Sequence, residues 1–62
     1  MSSKYATLQG KGLSTKVNVT YIVAYTYDDK ADETVIWLLG VPNAIHYPGD
    51  QRKEISMAIA SA

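Results

Sequence analysis

Few side chains in this sequence could carry chemistry, and their spacing limits what they can do. His46 alone has an unperturbed pKa near neutrality, and it stands between Ile45 and Tyr47 just ahead of Pro48-Gly49-Asp50. Nucleophilic catalysis would need a serine or threonine against that base, an acid to orient it and a preorganised oxyanion pocket. No nucleophile-elbow pattern is present, so His46 reads as a surface or structural histidine, no catalytic residue is assigned, and the chain reads as a non-enzyme. Gly10-Lys11-Gly12 followed by Ser14-Thr15 has some ingredients of a phosphate-binding loop. Such a loop runs glycine-lysine-serine between a strand and a helix, whereas here Leu13 follows the second glycine and a strand is expected next. It reads as a hairpin turn. Asp28, Asp29, Asp32 and Glu33 offer the oxygens that calcium prefers but lack the alternating spacing and central glycine of a calcium loop, and they read as a solvated hairpin tip. With no cysteine and one histidine, a structural zinc site lacks ligands, and no metal or cofactor is expected. Asn18-Val19-Thr20 matches a glycosylation acceptor, but inside an expected strand and without an export signal it is given no role.

The aromatic residues offer surfaces rather than reactions. Five tyrosines and one tryptophan are many for a chain of this size. Part of this content suits the rim of a core, since a tyrosine on a strand buries its ring and keeps its hydroxyl wet. The other part points to contact with a partner. Tyr21, Tyr25, Tyr27, Trp37 and Leu39 are the candidate binding residues, because tyrosine and tryptophan anchor protein interfaces. An alternative uses the same tyrosines as a stacking platform for single-stranded nucleic acid, with Lys4, Lys11, Lys16, Arg52 and Lys53 on the phosphates. That alternative is the weaker one, since five cations beside a strongly acidic turn are few for tracking a phosphate backbone.

These residues must be held by short elements. Turn residues fall at Gly10 to Gly12, Asp28 to Asp32, Pro42-Asn43 and Pro48 to Asp50. Tyr5 to Gln9 suits an edge strand. From Thr15 to Tyr27, Val17, Val19, Tyr21, Val23, Tyr25 and Tyr27 recur with period two, which predicts one long strand pairing with a neighbour near each end. Val17, Val19 and Val23 are expected in the core. Glu33 to Leu39 is apolar in both phases, with Ile36 and Leu38 on one face and Val35, Trp37 and Leu39 on the other. The last segment fits two patterns. Asp50 can cap a helix through Ala60 with Ile55, Ala58, Ile59 and Ala62 as its apolar stripe, or Pro48 to Asp50 can turn a hairpin between Ala44 to Tyr47 and a final strand. The alanine content favours the helix. The expected fold is therefore α+β, a three-stranded antiparallel meander followed by a C-terminal helix. The alternative is an all-β, five-stranded, barrel-like protein.

Sixty-two residues make one small domain, 1–62, and folding such a chain removes only about 60% of its unfolded surface from water. With no disulfide or metal to support it, self-association is the remaining common route. One short helix cannot cover both faces of a sheet, so the second apolar face needs a partner. No apolar stretch is long enough to span a membrane, and a cytoplasmic location is expected. Net charge is zero but segregated, with Lys4, Lys11 and Lys16 and no acid in residues 1–27, followed by the acidic turn. That pattern suits neither a uniformly basic nucleic-acid binder nor an acidic DNA mimic. These features point to a small binding or regulatory protein that acts through protein contacts on a sheet face. A homodimer is the expected partner state and another protein a further one. A compact accessory protein, such as a phage-encoded inhibitor of a host factor, has this profile.

Overall fold

In the computed structural model, residues 4–61 are described. They form Tyr5–Gly10 (β1), Leu13–Asn18 (β2), a 3₁₀ turn at Val19–Tyr21, Ile22–Asp28 (β3), Glu33–Leu38 (β4), Ile45–Pro48 (β5) and a helix, Arg52–Ser61 (α1). The architecture is α+β, with five strands in two antiparallel sheets, β1-β2 and β3-β4-β5, and no closed barrel.

The first hairpin turns on Lys11 and Gly12, at φ 50° and 78°. Positive φ at both central residues is what a two-residue type I′ turn requires, and it matches the twist of the paired strands. Glycine-lysine-glycine is thus a hairpin turn, as its order suggests. The second hairpin turns at the acidic stretch. There the Asp28 carboxylate accepts the backbone N–H of Lys30 (3.1 Å) and of Ala31 (3.3 Å), so an aspartate shapes the turn locally.

The long strand expected over Thr15 to Tyr27 is interrupted. Thirteen extended residues would span about 43 Å, yet the longest dimension of the molecule is 35 Å. The chain folds back instead at Val19–Tyr21, where the Asn18 side-chain oxygen accepts the N–H (3.0 Å) and the hydroxyl (2.7 Å) of Thr20. Asn18-Val19-Thr20 therefore lies at a turn and not within a strand. The expected pairing survives the break, since β2 pairs with β1 and β3 with β4.

The break, together with a bulge between Ile22 and Ala24, changes which residues face inward. Val17 and Val19 are buried as expected, but Val23 is 66% exposed and leaves the core. Past the bulge the alternation resumes, with Tyr25 opposite buried Ile36 and Tyr27 opposite buried Thr34.

The core consists of Ala6, Leu8, Val17, Val19, Ile36, Tyr47 and Ile55. Asp50 starts α1 by accepting the Arg52 N–H (3.1 Å), and Ile55 is fully buried with Ala58 packed partly against the core. Ile59, expected in the same stripe, is exposed, and Ala62 lies outside the described residues. The helix packs mainly on β1, with the 3₁₀ turn and β3 also in contact. Pro48 to Asp50 leads from β5 into this helix, not into a final strand.

Side chains, not a strand ladder, join the two sheets where β1 approaches β5. The Tyr47 hydroxyl donates to the Leu8 carbonyl (2.8 Å). The Gln51 amide donates to the carbonyls of Gln9 (2.8 Å) and Pro48 (2.9 Å), one on each sheet. Below them, buried Thr34 donates to the Gly49 carbonyl (2.7 Å) and accepts the Gln51 N–H (2.8 Å). The shortest dimension is 17 Å, which fits two layers packed about 10 Å apart and excludes a third. One face of the three-stranded sheet is accordingly uncovered.

Candidate binding surface

The pairing register fixes which side chains share that uncovered face. Thr34, Ile36 and Leu38 of β4 point to the core, so Glu33, Val35 and Trp37 point outward. Directly opposite them on β3 stand Asp28, Thr26 and Ala24, and on β5 Pro48 and His46 stand opposite Glu33 and Val35. The two-sided apolarity expected of this strand is present. Ile36 is fully buried on one side, and Trp37 is 42% exposed on the other.

The face has two unlike ends. Tyr21 and Leu39 meet at one end, where the Leu39 N–H donates to the Tyr21 carbonyl (2.8 Å), and Val41 lies just beyond. Tyr21, Val23, Trp37, Leu39 and Val41 are all exposed there, Leu39 at 69%. At the other end lies the acidic turn. His46, exposed on the same face, approaches Glu33 with Nδ1 3.3 Å from Oε1.

The candidate binding residues do not all fall on one surface. Tyr21, Trp37 and Leu39 gather at the apolar end, joined by Val23 and Val41, which the alternation alone would not select. Tyr25 and Tyr27 lie on the opposite side of the sheet with Ile36 and Thr34. The residue opposite Trp37 is Ala24 and not a tyrosine. Tyr25 is half-buried against the core.

Tyr27 belongs to a separate polar cluster. Its hydroxyl donates to Asp32 Oδ1 (2.6 Å), and the Arg52 guanidinium lies over its ring, 4.9 Å from the centroid. Arg52 is in turn fixed by Asp50, through Nε to Oδ1 (2.9 Å) and Nη2 to Oδ2 (2.7 Å). The bond to Asp32, with lesser contributions from burial and nearby carboxylates, pushes the Tyr27 phenol up to about 12. Hydrogen bonds from Arg52 hold the Asp50 carboxyl below its ordinary value, and the same pair raises Arg52. This exposed cluster links the start of α1 to β3. Its members were legible as types, but their meeting depends on where the helix lands.

The cations of the nucleic-acid alternative are divided between two elements. Lys4, Lys11 and Lys16 run from the base to the tip of the first hairpin, with Lys16 opposite Thr7 on β2, and Arg52 and Lys53 open the helix. Arg52 is already engaged by Asp50. Among the described residues no group of three or more histidines, cysteines or acids stands close enough to hold a metal ion, and no helix is long and apolar enough to cross a membrane. An open polar cleft of about 460 Å³ lies between β1 and the helix start, lined by Thr7, Gln9, Gly49, Asp50, Gln51 and Glu54. No family model matches the chain, and no similar protein was found among curated sequences or solved structures.

Proposed function

We propose that this chain is a small non-enzymatic binding or regulatory protein that acts through protein contacts on the outer face of the β3-β4-β5 sheet, as a homo-oligomer whose simplest form is a dimer. One observation carries the proposal. Five large apolar side chains, Tyr21, Val23, Trp37, Leu39 and Val41, are each exposed on the segments where β3 begins and β4 ends. Apolar groups gathered at one place behave differently from the same groups scattered singly, because a partner can desolvate them all at once. Each is already partly buried, so covering what remains exposed releases about 1 kcal/mol of transfer free energy apiece, and tryptophan is among the commonest interface anchors. A core of the size described here gains from such support. Action in the cytoplasm, and a role such as that of a phage-encoded inhibitor of a host factor, belong to the same proposal and rest on the small size and the surface alone.

Trp37→Asp tests it. The ring is partly exposed, so the variant keeps the strand signature in circular dichroism, while light scattering over a dilution series shows a dimer for the parent chain and a monomer for the variant. A parent chain that is monomeric at every concentration removes the homo-oligomer. A folded variant with unchanged assembly removes Trp37 from the interface.

A further inference from the structure

We infer that the outer edge of β3 pairs with an extended segment of a partner protein that is basic at its N-terminal end and apolar at its C-terminal end. This rests on the protein-binding proposal above but assigns a different surface, an edge of the sheet and not its face.

Two sheets have four edges, and three of them are guarded. β5 is short, carries Pro48 and is joined to β1 through Tyr47 and Gln51. β1 is covered by that same seam and by α1. β2 carries Lys16 in its middle, a charge of the kind that discourages strand addition. β3 contains no lysine, proline or glycine from Ile22 to Tyr27, and α1 rests chiefly on β1 and only marginally on β3. Its single irregularity is the bulge at Val23. From Ala24 to Asp28 the strand pairs regularly with Trp37 to Glu33. Among the described residues no strand pairs with its other edge, so that row of backbone donors and acceptors is a template for an added strand.

The ends of this edge state what the added strand must look like. The Asp28 end carries Asp28, Asp29, Asp32 and Glu33 against Lys30 alone. The Ile22 end carries exposed Val23, with half-buried Tyr25 next along the strand. Antiparallel pairing is the more stable per residue, and it sets the N-terminal end of the incoming segment beside the carboxylates. Lysine or arginine there gains their attraction, and apolar residues follow along Tyr25 and Val23. A second copy of the chain fits less well. β3 paired antiparallel with itself has no cation to offer and sets Asp28 against the apolar end of the other copy.

The test uses the full chain and three synthetic peptides: Lys-Lys-Val-Thr-Val-Thr-Val, its glutamate counterpart Glu-Glu-Val-Thr-Val-Thr-Val, and the reversed Val-Thr-Val-Thr-Val-Lys-Lys. Amide exchange and chemical shifts are read by NMR along residues 22–28. The lysine-first peptide is expected to slow exchange at edge-facing amides between 24 and 28. It should bind roughly tenfold more tightly than the glutamate-first peptide, and lose that advantage as added salt shortens the screening length below about 8 Å. Asp28→Asn combined with Asp29→Asn keeps an acceptor oxygen for the turn, removes two of the four carboxylates and should weaken the preference severalfold. The inference is overturned if no peptide protects those amides, if the glutamate-first or reversed peptide binds equally well, or if protection rises with protein concentration in the absence of peptide, which would give the edge to a second copy. The mass of Trp37→Asp reports on the face alone, so either proposal can fail while the other stands.

Discussion

At the scale of single residues, the molecule depends on polar groups that its composition does not advertise. Thr34 is fully buried, yet its hydroxyl both donates and accepts, which ties β4 to the turn that leads into the helix. Tyr27 is the residue whose chemistry is most altered. The bond to Asp32 pushes its phenol up to about 12, against an ordinary value of about 10. The raised folded-state value means that this bond adds stability that is fully present below pH 10 and is lost as the pH climbs from about 10 to about 12. Ultraviolet titration of the folded chain should show a tyrosine step near pH 12, and Tyr27→Phe should remove that step. A late step that persists in the variant would assign the shift to another ring.

At the scale of elements, much of the molecule was legible. The first hairpin turn follows from Gly10-Lys11-Gly12, the strand within Glu33 to Leu39 from its two-sided apolarity, and the helix from Asp50 and the alanines. The break after Asn18 was not legible, because alternation reports which face a residue prefers and is silent on how far a strand can run. Length relative to the molecule decides that, and it emerges only when the other elements are in place. The same cause hid part of the proposed binding surface. Period two assigns Val23 to the core, and the break and the bulge leave it exposed, one position before Ala24, which stands opposite Trp37. Asn18 is the residue that makes the break favourable. Asn18→Ala removes the acceptor for both Thr20 donors and should lower stability by about 1 kcal/mol in denaturant melts. A change within error would mean that the 3₁₀ turn is imposed by packing of Val19 alone.

At the scale of the whole molecule, two hairpin systems are joined by a few contacts that span the sequence. Gln51 holds one carbonyl from each sheet with a single amide group. Gln51→Met keeps the volume and leaves both carbonyls without that donor, so a loss of about 1–3 kcal/mol is expected from the shift in denaturation midpoint. If the midpoint holds, water has replaced the amide, and the seam is held by Tyr47 and the core instead.

That seam also governs how the chain reaches its final form. The turns within each hairpin bring near neighbours together, and such closures take about 1–10 μs. Tyr47 meets Leu8 across 39 positions, and Gln51 meets Gln9 across 42. An isolated two-stranded hairpin is marginal in water, so β1-β2 gains its lasting stability only when a segment some forty positions away arrives. The architecture thus predicts an order of events: local hairpins flicker early, and commitment waits for the residues that close the joint.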